Sequence, residues 1–199
     1  MSDKGEQELK DKFRSIAKND FEILSDVRGS YLLQEKEVVL DFMLYPKLHL
    51  LESGFEQAWF GVEVKHFDNL HVTGKMSRFL WQCITYAQSV FQVKGKAERP
   101  AFVLGFSNVD KILDELCRDK NKFTEKEICR EYRSQWTGMV RIAGLAHVGF
   151  FNETLPTRYK PLGGWNITFS SSSYFRLVNG QYKKLNYNIF KENIGNCAE

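Results

Sequence analysis

The sequence lacks the features of several common protein classes. Its four cysteines form no C-x-x-C pair, which argues against a zinc ribbon, an iron–sulfur cluster bound by cysteines and a disulfide scaffold. No run of about 18 apolar residues occurs, and the charged start MSDKGEQELKDKF does not resemble a secretory signal. The G-x-x-x-x-G-K-[ST] phosphate loop and the G-x-S-x-G nucleophile elbow are also missing. We therefore expect a soluble, cytoplasmic protein that has no membrane partner.

The sequence also lacks a large excess of positive or negative charge. A net charge of +3 permits a nucleic-acid partner but does not require one, because dedicated nucleic-acid-binding proteins usually carry a denser basic surface. The 199 residues are 43% hydrophobic, which is enough for one domain over 1–199 with a substantial core.

Hydrophobic periodicity predicts the elements of the first half. An amphipathic helix is expected in the first 20 residues, and a turn-like stretch around Pro46, Ser53 and Gly54 is expected between two strands. Apolar residues from Met76 to Phe91 recur at three- and four-residue steps, which predicts a helix ending near Gly95. The predicted strands are EVVLDFMLY (37–45), WFGVEVKHF (59–67) and AFVLGF (101–106).

The second half is predicted to be helical at first and then mainly β. Helices are expected at 109–118 and 124–135, GMVRIAGLAHVGFF (138–151) is expected to belong to the β part, and Asn179-Gly180 is expected to form a hairpin turn. We predict an α/β fold in which helices flank a mixed central sheet. The predicted core spans 5–106, and 107–199 would be a helical and then β-rich C-terminal extension.

Three charged residues lie inside the two apolar strands 37–45 and 59–67. Side chains alternate along a strand, so Glu63 and Lys65 project to one face, and Asp41 lies between the apolar residues of the other strand. Unpaired charges are costly to bury, so these three are expected to compensate one another or to hold a cation. Two carboxylates with open coordination positions suit Mg²⁺ or Mn²⁺. A nearby lysine that assists the attacking water favours phosphodiester hydrolysis.

A polar stripe follows on the next predicted helix. Arg78, Gln82 and Tyr86 are spaced at i, i+4 and i+8, so they are expected to face a phosphate backbone or to hold the lysine. Simpler interpretations stay open for both groups. The strand charges also fit a solvated sheet face or a structural salt-bridged cluster, and the helical stripe also fits a solvated helix edge.

The segments LDF (40–42), GVEVK (61–65) and QCITY (82–86) together resemble the PD-(D/E)XK nuclease superfamily, in particular its RecB-like branch with a Q-x-x-x-Y helix. The resemblance covers roughly 5–106. It implies a restriction-endonuclease-like core and an Mg²⁺- or Mn²⁺-dependent deoxyribonuclease, either an endonuclease or an exonuclease.

The resemblance also implies roles for individual residues. Asp41, Glu63 and the backbone carbonyl of Val64 would bind the metal, and Lys65 would be the catalytic lysine. Gln82 and Tyr86 would lie at the rim of the site and contact the DNA backbone or the active-site lysine, and Arg78 of the same stripe would contact DNA. Leu40 stands where many members have proline. The glutamate that the first helix often supplies has two candidates, Glu6 and Glu8, and the sequence does not choose between them.

The alternative function is a nuclease-fold protein that binds nucleic acid or a protein partner without cutting. The sequence leaves open the strandedness of the substrate, the choice between DNA and RNA, and whether the chain forms homo-oligomers.

Overall fold

A single large sheet organises the chain. The computed structural model describes residues 3–68, 72–112, 123–159, 161–170 and 172–185. The ten strands of this part lie in the order β10-β9-β8-β7-β6-β3-β2-β1-β4-β5. Strand β6 pairs in parallel with β3 and with β7, and the other neighbours are antiparallel. The strands are β1 (Phe21–Tyr31), β2 (Lys36–Pro46), β3 (Phe60–Lys65), β4 (Ser89–Val93), β5 (Lys96–Glu98), β6 (Val103–Ser107), β7 (Val148–Thr154), β8 (Gly164–Phe169), β9 (Ser172–Val178) and β10 (Gln181–Lys184).

Helices cover both faces of this sheet. They are α1 (Asp3–Ala17), α2 (Leu48–Glu52), α3 (Val72–Ala87) and α4 (Phe123–Leu145). Phe13 of α1 and Leu50 of α2 belong to one buried cluster, which is rich in aromatic rings. Phe79 of α3 and Trp136 of α4 belong to a second cluster. The predicted α/β class with a mixed, helix-flanked sheet is therefore confirmed.

Several predicted elements match the structure. Both predicted strands that carry the charged residues, the first helix, the strand after Pro100 and the hairpin at Asn179-Gly180 are present. The predicted helix 124–135 is part of α4. Of the predicted helix 109–118, only a helical turn at 109–112 falls within the described residues, and 113–118 lie outside them. None of the described helices has the length and apolarity needed to cross a bilayer.

Two boundaries were wrong because tertiary pairing overrode the local pattern. The helix predicted to reach Gly95 ends at Ala87, and Phe91 instead lies in β4 opposite Gly29 of β1. A tight turn then leads into β5, with φ +51° at Lys94 and φ +79° at Gly95. This left-handed geometry favours glycine and closes a hairpin.

The segment 138–151 was predicted as β, but its first eight residues complete α4. At Gly144 the helix packs closely on the turn that follows β8, where an added Cβ would lie 1.9 Å from Ser170 Oγ. Only Val148–Thr154 forms a strand.

Two other elements were not foreseen. β1 is an eleven-residue strand in a region where the sequence showed only short apolar runs, and it pairs with β2 over most of its length. α2 lies in the stretch that was predicted as a turn, and it buries Leu50. The β-rich C-terminal residues extend the central sheet beyond β6. These strands and the central strands therefore form one continuous sheet.

Candidate functional site

An acidic pair lies on neighbouring strands in the middle of the sheet. β2 and β3 are antiparallel, and the pairing of Phe42 with Val62 places Asp41 opposite Glu63 one residue further along. Asp41 Oδ2 accepts a hydrogen bond of 2.8 Å from the backbone N–H of Val64. This bond fixes the Asp41 carboxylate against β3. The sequence prediction that these two carboxylates meet is therefore matched by their positions.

Glu63 is held in an unfavourable environment. Only 7% of its surface is exposed, and its Oε2 atom has no hydrogen-bond partner. Burial raises the pKa of Glu63 well above its ordinary value, and the charge of Asp41 and hydrogen bonding with Asp41 add to this effect. A buried acceptor without a partner costs about 1–3 kcal/mol. The site therefore carries a stability cost that a cation or a proton would relieve.

Two lysines compensate the acidic groups. Lys10 Nζ lies 2.5 Å from Asp41 Oδ1, and Lys65 Nζ lies 2.7 Å from Glu6 Oε2. For Lys10, burial by itself would lower the pKa, but the hydrogen bond and charge of Asp41 together with nearby acidic groups raise it. Lys10 therefore stays charged and neutralises part of the acidic pair.

Helix α1 supplies one residue that the sequence analysis did not name, Lys10, and one that it left as a candidate, Glu6. Glu6 and Lys10 are four residues apart on α1, so they project on the same side of the helix. This spacing was a usable signal, but it does not identify the strand that the helix covers. Between the two glutamates that the sequence left open, the structure places Glu6 on Lys65.

Helix α3 closes the site from the other side. Cys83 and Tyr86 are buried. Burial raises the pKa of each, and the charges of Glu63 and Asp41 raise it further. Tyr86 is thus buried near the acidic pair, whereas Gln82 lines an open cleft. Positions eight apart on a helix differ in direction by about 80°, which explains why the stripe from Arg78 to Tyr86 does not share one surface.

A cleft of about 730 Å³ is lined by Lys65, which follows Glu63 by two residues on β3; Asp41 and Glu63 themselves do not line it. Lys65 and Glu6 lie at its α1 side, and Arg78 and Gln82 line its α3 side. His66 packs against Gly5 and borders the same space. The complete lining is Glu6, Lys65, His66, Lys75, Ser77, Arg78, Trp81 and Gln82.

The side chains that could bind a hard divalent cation here are two carboxylates, those of Asp41 and Glu63. Within the described residues, no group of three or more His, Cys, Asp or Glu side chains is arranged to hold a metal ion. The unpartnered Glu63 Oε2 next to Asp41 is the feature that a cation would satisfy. Mg²⁺ often binds through one or two carboxylates and keeps several waters, so the pair suffices for it.

Comparisons of the chain with known protein families, curated proteins and solved structures gave no match. A function for this chain therefore has to be inferred from the geometry of its site.

Proposed function

We propose that the protein is an Mg²⁺-dependent deoxyribonuclease that hydrolyses phosphodiester bonds. The observation that carries this proposal is the buried, unpartnered Glu63 oxygen beside Asp41, two residues along β3 from Lys65, which lines an open cleft. Burying carboxylates side by side is unfavourable for folding, and such arrangements are concentrated at functional sites. The same features support a restriction-endonuclease-like core for the strands that carry these residues.

Asp41, Glu63 and the backbone carbonyl of Val64 would hold the metal. When bound, Mg²⁺ supplies positive charge that makes water a better nucleophile and neutralises phosphate oxygens. Mn²⁺ has the same preference for oxygen ligands and is expected to replace it.

The contacts of the protein side chains define their roles. Lys65 is held by Glu6 at the border of the cleft, where its ammonium group can orient the attacking water and bind a non-bridging phosphate oxygen. Glu6 is a positioning residue, because its carboxylate acts through its contact with Lys65. Gln82 and Arg78 offer hydrogen bonds to the phosphates that flank the scissile bond.

The first experiment is cleavage of linear, circular and single-stranded DNA during titration with Mg²⁺ and then Mn²⁺. We expect metal-dependent products from the wild-type protein and a loss of activity of at least about a hundredfold in Lys65→Ala, since removing one group that stabilises the transition state costs about 10²–10³ in rate. Lys12→Ala is the matched control, because Lys12 also forms an ion pair, at 2.5 Å to Glu153, but does not line the cleft. Full activity in Lys65→Ala would contradict the assignment.

The second candidate is a nuclease-fold protein that binds nucleic acid or a protein partner without cutting. The contact between Lys10 and Asp41 favours it, because an ammonium group already compensates one of the two carboxylates. This candidate predicts that neither metal produces cleavage and that binding does not change in Lys65→Ala or in Glu63→Gln.

A further inference from the structure

Trp81 differs from every other tryptophan of the chain. It is 66% exposed, whereas Trp136 and Trp165 are 7% and 1% exposed and Trp59 is half-buried. An exposed indole forgoes the large stabilisation that burial of this side chain provides. Its position on α3 is therefore not explained by packing of the core.

The surroundings of Trp81 are cationic. Arg78 is one turn before Trp81 on the same side of α3, and both line the cleft that Lys65 enters. Lys65, Lys75 and Arg78 line this cleft together with the Glu6 carboxylate. Lys65 forms an ion pair with Glu6 at 2.7 Å, and Lys75 forms one with Asp68 at 2.6 Å. Arg78 is exposed and forms no ion pair with a carboxylate of the described residues. The exposed ring thus lies one turn from an uncompensated guanidinium, which suits the phosphate of a polyanion.

We infer that Trp81 is a stacking platform for an unpaired base of single-stranded DNA and that Arg78 and the neighbouring lysines bind the flanking phosphates. The inference rests on the proposed function, because the same cleft contains Lys65. Stacking on an aromatic ring requires a free base face, which a single strand offers and an intact duplex does not. The substrate of the proposed nuclease is therefore single-stranded, or unpaired close to the cleaved bond.

A protein partner fits this surface less well. The centres of protein–protein interfaces are depleted in charged residues, apart from arginine, whereas this cleft is lined mainly by charged and polar side chains. An aromatic ring between cations is instead the arrangement that binds single strands with little dependence on sequence.

The test measures binding separately from cleavage. In EDTA, fluorescence anisotropy would compare a labelled oligothymidylate of about 12 nucleotides with a duplex of the same length. The variants are Trp81→Ala, Trp81→Phe and the control Tyr159→Ala, which removes an aromatic side chain that is 84% exposed outside the cleft. Circular dichroism would verify that each variant is folded.

We expect Trp81→Ala to weaken oligothymidylate binding by about tenfold to a hundredfold, which corresponds to the loss of one stacked base. Duplex binding should change by less than about threefold, because phosphate contacts dominate it. Trp81→Phe should retain most of the affinity, and Tyr159→Ala should bind as the wild type does.

Two results would overturn the inference: unchanged oligothymidylate binding in Trp81→Ala, or an equal loss for the single strand and the duplex. The cleavage assay keeps this outcome separate from the proposed function. Metal-dependent cleavage with unchanged binding in Trp81→Ala would refute the stacking role alone. Selective loss of single-strand binding, without cleavage by the wild type, would refute the nuclease and retain the stacking site.

Discussion

Replacement of Glu63 by glutamine is expected to stabilise the folded protein. The substitution keeps the shape of the side chain and removes a buried carboxylate that faces Asp41 and has an oxygen without a hydrogen-bond partner. The new amide group can also donate a hydrogen bond to Asp41. A structural salt-bridged cluster would give the opposite sign, since removing one partner of a buried ion pair costs about 3–5 kcal/mol.

The surroundings of the Glu63 side chain set the size of the expected stabilisation. A hydrogen bond from the new amide to the charged Asp41 carboxylate, in place of a second buried carboxylate, corresponds to about 1.5–3 kcal/mol. In a domain of this size, 1 kcal/mol shifts the melting temperature by about 2–4 °C, so the expected increase is about 3–12 °C at pH 8.

The gain should depend on pH because burial raises the pKa of Glu63 in the folded state. The unfolded chain then loses the proton first, near the ordinary glutamate pKa of about 4.3. The contribution of Glu63 to stability is greatest below that pH and falls by up to about 1.4 kcal/mol for each pH unit until its folded-state pKa is reached. Glutamine does not titrate, so the advantage of Glu63→Gln should grow from pH 5 to pH 8.

Thermal and urea denaturation in EDTA, followed by tryptophan fluorescence, would measure both effects. Glu22→Gln is the matched control, because Glu22 forms an exposed ion pair with Lys94 at 2.6 Å and should change stability by less than about 0.5 kcal/mol. A destabilised Glu63→Gln protein, or an equal gain at pH 5 and pH 8, would refute the reasoning.

The contacts of α1 and of the sheet lead to two other predictions. Lys10→Met removes the ammonium group from Asp41 Oδ1, so Mn²⁺ should bind about tenfold more tightly in calorimetry; unchanged or weaker binding would argue against a metal at this carboxylate. Asp20→Asn should lower the free energy of unfolding by about 2–3 kcal/mol in urea denaturation, because the buried Asp20 carboxylate accepts hydrogen bonds from Trp165 Nε1 at 2.7 Å and Tyr182 Oη at 2.5 Å. An unchanged midpoint in Asp20→Asn would show that this network does not hold the C-terminal strands to the rest of the sheet.

The charged residues of the candidate site were visible in the sequence because strands have a fixed side-chain period. Alternation places Glu63 and Lys65 on one face whatever the strand pairs with, and it separates them from Val62 and Val64. The helix that carries Gln82 was visible for the same reason, since apolar residues at three- and four-residue steps require a single buried face. The ends of the elements could not be predicted in this way. The helical pattern continues to Phe91, but this residue lies in β4 because its backbone pairs with β1.

The sequence by itself thus determined which side chains share a strand or a helix, because short-range geometry is set by backbone dihedral angles alone. Only the tertiary structure decided that Glu6 meets Lys65 and that Lys10 meets Asp41. It also buried Tyr86 and left Trp81 exposed, although both lie on the same helix. Such contacts depend on where α1 and α3 dock, and docking is set by the complementary packing of residues far apart in the chain.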